Sequence, residues 1–198
     1  MASFAEFQEA LKRFGFVAGL VGAGSVLTPL VTAAAGFAPP VFEGLPYLTT
    51  LFMLVALIVC FSLAQGLSKR GFKRLILFAA VGFIALTFGY LMTLDRFVHH
   101  NPTDGGKRVI VGCELKPDIL NYVDEAKSQT SHCPGDSKFV KDMLYDAKGD
   151  PDNIWTSDSI RNVVLGLLGL WMGMFAALTV LVTGFVGSLK DKRRKPVA

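Results

Sequence analysis

Asp, Glu, Lys, Arg and His are missing from four long stretches of this 198-residue chain: residues 14–37, 47–67, 75–94 and 162–189. Each stretch reaches or exceeds the roughly 20 apolar residues that a helix needs to cross a hydrocarbon core of about 30 Å. Proton relays, pumps and haem-bearing spans are built on ionisable side chains inside the membrane, so none of those is expected. The only histidines, His99, His100 and His132, fall between the third and fourth stretches. Cysteine is also scarce. There are three, none of them in a CxxC pair, which excludes a thiol–disulfide exchange centre of that type. No Ser-His-Asp set, phosphate-binding loop or paired carboxylate stands out.

What is present is hydrophobicity, distributed unevenly. The chain is 52% hydrophobic, close to the roughly 45–50% of an ordinary soluble domain, but its charges lie almost wholly between and beyond the four runs. Four buried core helices of a soluble protein would leave too little amphipathic chain to cover them. Lys12 and Arg13 resemble the basic start of a signal peptide, yet the apolar run that follows is too long for one and three more runs come after it. The expected fold is an all-α membrane protein. It is a four-transmembrane-helix bundle with a small disulfide-tied extracytoplasmic cap between helices three and four. Residues 1–94 would hold the first three helices and their short loops, residues 95–160 the outer loop domain, and residues 161–198 the fourth helix and a basic tail.

Basic residues mark the cytoplasmic side of a membrane protein. The N-terminal segment, the link SKRGFKR and the tail KDKRRKPVA carry eleven Lys and Arg, against Glu6, Glu9 and Asp191. Four spans put all three segments on one side, so both termini are expected in the cytoplasm and residues 95–160 outside. The absence of a second outer cysteine pair and the short loops point to a bacterial inner membrane. The net charge of +4 then belongs to membrane flanks rather than to a nucleic-acid surface. Lys192, Arg193, Arg194 and Lys195 are candidates for contact with anionic lipid headgroups, each contributing about 1 kcal/mol.

A link of 66 residues, positions 95–160, is too long for a passive connection. Residues 108–115 (RVIVGCEL) read as a strand, residues 117–129 as a helix opened by Pro117, and residues 137–147 as a second helix stopped by Gly149, Asp150 and Pro151. Ser157 reads as the N-cap of the fourth span. Cys113 and Cys133 both lie in this loop and form the expected structural disulfide, with a redox-active or metal-bound pair as alternatives. Cys60 reads as a small buried hydrophobe. Asp95, His99, His100 and Asp104 are the weak candidates for a metal site. Adjacent histidines rarely hold one ion, however, and no HxxxH or HxH spacing is present, so a solvated turn is expected there and neither a metal nor a cofactor.

Small residues recur every four positions in the first span (Gly15, Gly19, then Ala23, with Gly22 beside them) and in the fourth (Gly169, Gly173, Ala177). Such faces let helix backbones approach closely, either within one bundle or against another subunit. Pro29 should kink the first span, and Pro39 and Pro40 should end it. Scattered Ser and Thr can satisfy themselves on helix carbonyls. Trp171 is expected to pack inside the fourth span, and Trp155 and Tyr47 to sit in the aromatic belt at the outer interface.

The order of a short first outer loop, a large cysteine-bearing second one and two inner termini is similar to that of tetraspanins. The similarity is of topology only, because their CCG motif and second loop disulfide are absent. The quinone-coupled disulfide oxidases and the vitamin K epoxide reductase family also use four-helix cores, but their CxxC pair is missing here. The expected role is that of a non-enzymatic membrane subunit or scaffold, with the lipid bilayer, other membrane subunits or further copies of itself as partners. An oligomeric pore or membrane sensor, such as a defence-type effector, is the alternative, and a membrane enzyme the third reading.

Overall fold

The computed structural model describes residues 24, 27–42, 44–64, 69–101, 105–122, 133–134 and 137–193. These are mostly helical: α1 (Leu45–Ala64), α2 (Lys69–Phe97), α3 (Pro117–Tyr122), α4 (Ser137–Asp146) and α5 (Ser157–Arg193). Residues 27–34 are helical as well. An antiparallel pair, β1 (Val98–His100) and β2 (Arg108–Ile110), falls between α2 and α3 in the chain. Two helices hold stretches long and apolar enough to cross a membrane, Lys73–Phe97 in α2 and Ser157–Gly184 in α5, and Leu45–Cys60 of α1 is a shorter apolar helix.

The chain divides into two compact units, and α2 and α5 contribute residues to both. The first comprises Met1–Ala38, Glu43–Thr87 and Met172–Ala198. Its interior is made by Thr49 and Met53 of α1 and by Phe175, Thr179, Val182 and Thr183 of α5, all buried. Glycine at position 184 is needed for close approach, because a Cβ there would lie 2.5 Å from Ile76 Cγ1 of α2. The helical hydroxyls turn back on their own backbones, as expected: Thr49 to the Leu45 carbonyl at 2.8 Å, Thr87 to Phe83 at 2.7 Å, Thr179 to Phe175 and Thr183 to Thr179 at 2.9 Å. Each hydroxyl then needs no further partner in an apolar medium.

The helix at residues 27–34 ends earlier than the Pro39–Pro40 pair suggests. Gly36 takes a left-handed φ of 79°. Its N–H donates to Ala33 at 2.9 Å and that of Phe37 to Thr32 at 2.9 Å. This is a glycine-terminated Schellman ending, which uses the orphan carbonyls of the last turn.

The second unit comprises Pro39–Phe42 and Phe88–Trp171. Its core is Val111, Leu115, Phe139, Val140, Leu144, Ile154 and Trp155. The predicted helices begin where expected. α3 starts at Pro117, and residues 123–129 lie outside the described residues. α4 runs Ser137–Asp146 and ends with Lys148 and Gly149 at positive φ, where the Gly149 N–H donates to the Leu144 carbonyl at 2.7 Å.

Several expectations for this unit need correction. The strand spans Arg108–Ile110 rather than residues 108–115, because its partner β1 is only three residues long. Leu115 pairs separately with Trp155. Thr156, not Ser157, caps α5: its Oγ1 accepts from the Ser159 N–H at 3.4 Å. Trp155 is fully buried in the core rather than placed in an aromatic belt, whereas Tyr47 is exposed. Trp171 is a packing residue, as expected, with its ring 5.4 Å from that of Tyr90.

Candidate functional site

Among the described residues, several ties join segments of the second unit that are distant in sequence. The first is covalent: Cys113 and Cys133 are joined by a disulfide, with Cα atoms 4.7 Å apart, inside the range such bonds require. The second is Arg96, at the end of α2, whose Nε donates to the Cys133 carbonyl at 2.6 Å. The third is Ser159, in the first turn of α5. Its Oγ accepts from the backbone N–H of Cys113 and from that of Glu114, the latter at 2.9 Å. Glycine at position 112 makes this approach possible, since a Cβ there would lie 2.5 Å from Ser159 Oγ and 3.0 Å from Trp155 Cβ. Backbone pairing continues the tie, from the Thr156 N–H to Glu114 O at 2.8 Å and from the Lys116 N–H to Ile154 O at 2.9 Å. No spacing rule in the sequence marks Ser159 or Gly112, whose roles depend on a contact across 46 residues of chain.

His99 and His100 occupy a strand, not a solvated turn. His99 pairs with Val109 and His100 with Arg108. Successive strand residues point to opposite faces, so the two imidazoles do not converge on one ion. His100 Nδ1 is 2.9 Å from the Gly106 carbonyl, and His99 Nε2 is 3.2 Å from that of Arg96. Burial holds the His99 imidazole below its ordinary pKa, and nearby Lys141 pushes the same way against the raising effect of the Arg96 carbonyl. Among the described residues no three His, Cys, Asp or Glu side chains gather as a metal site. Asp104 and His132 lie outside those residues. The hairpin is closed by Asn101, whose backbone N–H donates to Lys107 at 2.7 Å and whose buried side chain donates to Gly149 at 3.0 Å.

The C-terminal end of α2 borders an open groove of about 990 Å³. Along α2 its lining changes from Phe88, Leu91 and Met92 to Asp95 and Arg96, and it continues with His99 in β1 and with Ser137 and Lys141 in α4. The Lys141 side chain is exposed on α4. Trp155 Nε1 is a buried donor with no acceptor among the described residues, and Trp155 is not among the described residues that line the groove.

The predicted contact faces separate into parts. Gly15, Gly19 and Gly22 lie outside the described residues. Gly173 faces inward, since a Cβ there would meet Leu86 Cδ1 of α2 at 3.4 Å. Ala177 is half-buried. Gly169 is exposed, with no atom within 4 Å of the place its Cβ would occupy, and the same space is open at Gly166. The headgroup candidates Lys192 and Arg193 end α5, and Arg194 and Lys195 lie outside the described residues.

Comparison with protein-family models, with curated proteins and with solved structures gives no match to this chain.

Proposed function

We propose that this chain is a multi-pass integral membrane protein acting as a non-enzymatic subunit or scaffold of a membrane assembly. The observation that carries this reading is the bareness of α2. Only 11% of its apolar stretch is buried, with Phe78 75% and Ile84 69% exposed. The core helix of a soluble protein hides such a surface. Left in water it would cost about 25 cal/mol for each Å² of apolar area, and an apolar patch of this extent marks a membrane or an interface.

Four spans are the topology that best fits the charges. α1 is 20 residues long and uncharged, a length of about 30 Å at the α-helical rise. The run at residues 14–37 is equally free of charge. Four crossings bring the three basic segments together in the cytoplasm and leave residues 95–160 outside, where a disulfide is chemically at home. A bacterial inner membrane suits the short loops. The back-bonded hydroxyls favour a contact surface over a polar pore lining, and the open side of α5 at Gly166 and Gly169 is the face offered to a neighbouring helix.

Purification in mild detergent followed by mass analysis of all co-eluting chains tests this role. Stoichiometric recovery of another membrane polypeptide, or of a defined homo-oligomer, is expected. A monodisperse monomer from every mild detergent would contradict it.

A further inference from the structure

The groove at the outer end of α2 has a graded chemistry that its neighbours in the fold do not explain. Phe88, Met92, Asp95 or Arg96, and His99 are spaced by three and four residues, which keeps them on one helical face as far as α2 extends. Phe88 and Met92 are 63% and 59% exposed. Eight residues separate Phe88 from Arg96, a rise of about 12 Å along an α-helix. Over that distance the lining passes from bare hydrocarbon to fixed charge.

Among the described lining residues the charged end is net positive. Arg96 spends one donor, Nε, on the Cys133 carbonyl, and a guanidinium has five. Lys141 lines the same groove, and Asp95 is the one carboxylate among its described lining residues. Burial favours neutral His99, whose Nε2–H faces the Arg96 carbonyl and whose Nδ1 is left as an acceptor. An apolar trough along a helix that opens onto two cations fits an amphiphile with an anionic head. It does not fit a free anion, which would gain nothing from Phe88 and Met92.

We infer that this groove binds one anionic phospholipid of the outer leaflet. Its phosphate lies between Arg96 and Lys141, and its acyl chain follows α2 past Met92 and Phe88. The inference rests on the reading of α2 as a membrane span. It gives the outer unit a lipid-dependent seat on the membrane, separate from the headgroup contacts expected of the basic tail.

The test is lipid retention by the full chain in mild detergent, read by native mass spectrometry. The probes are dioleoyl phosphatidylglycerol, dioleoyl phosphatidylcholine and inorganic phosphate. One phosphatidylglycerol per chain should persist where phosphatidylcholine is lost and phosphate alone does not bind. Lys141→Gln, at an exposed position of α4, should weaken retention about fivefold, in line with one Lys charge at a headgroup. Replacing Lys192, Arg193, Arg194 and Lys195 with Gln should leave that last lipid in place. Equal retention of the two lipids, or retention unchanged by Lys141→Gln, overturns the site while leaving the span intact. Alkaline carbonate extraction of the source membranes separates the two questions, because release of the chain into the wash would remove the span and the lipid site together.

Discussion

The segment between α2 and α5 and the middle of α2 treat their apolar side chains in opposite ways. In that segment, which belongs to the second unit (the outer one on the proposed topology), Val111, Val140, Leu144 and Trp155 are fully buried, and Ser159, Asn101 and Arg96, in it or at its ends, each satisfy backbone groups from distant segments. Along the middle of α2, Leu77, Phe78, Val81 and Ile84 are exposed, while the helical hydroxyls bond locally to their own helix. On the proposed membrane reading, the closed core and long-range polar ties suit water, and the bare apolar helices with self-satisfied polar groups suit hydrocarbon, where an unpaired backbone or hydroxyl group costs several kcal/mol.

The sharpest way to break this contrast is a pair of truncations. Leu144→Ala, in the outer core, should cost about 2–5 kcal/mol and open the outer unit to protease. Phe78→Ala, on the bare side of α2, should stay within about 0.5 kcal/mol in detergent unfolding. Comparable losses at both positions would mean that α2 is covered by protein. Next in size is the disulfide. Cys113→Ser with Cys133→Ser should cost about 3 kcal/mol in the chain-entropy model, measured as increased protease sensitivity of residues 95–160 with the helices still in the membrane fraction. Loss of an activity without loss of stability would instead make the pair redox-active.

Ser159→Ala follows. It removes the shared acceptor of two backbone N–H groups and should cost about 1–3 kcal/mol, confined to the outer unit. The smallest effect is on pH. His99 has its folded-state pKa lowered by burial, so the unfolded chain binds more protons as pH falls through the ordinary histidine range near 6.5. The outer unit should therefore lose a little stability between about pH 7 and pH 5, and His99→Gln should flatten that part of the profile in a proteolysis series.

Much of this was legible in the sequence where a single local rule decides. The charge-free runs contain the bodies of α1, α2 and α5, because apolar length is a property of contiguous residues. Pro117 and the Gly149–Pro151 stop placed the helix ends of the outer loop for the same reason. The disulfide was legible because only two cysteines lie in one loop. What failed depended on partners far away in the chain. The strand at Arg108 was cut short by the length of β1, and His99 and His100 became strand residues by pairing with Val109 and Arg108. Trp155 was drawn into a core that no periodicity announces. Thr156 and Ser157 are chemically equivalent caps in adjacent positions, and only the geometry of the turn chooses between them. The small-residue spacing left packing within one bundle and contact with another subunit both open, because spacing cannot tell that a Cβ at Gly173 would meet Leu86 while no described atom lies within 4 Å of one at Gly169.

The central claim is that membrane surrounds the apolar helices and that the outer unit and the basic link lie on opposite sides of it. Single cysteines placed at Lys141 and at Lys73, in a Cys60→Ala background that keeps the Cys113–Cys133 bond, can be labelled with a membrane-impermeant maleimide in intact cells. Position 141 should label at once, and position 73 only after the membrane is permeabilised. Immediate labelling of both positions, or of position 73 alone, would contradict the account.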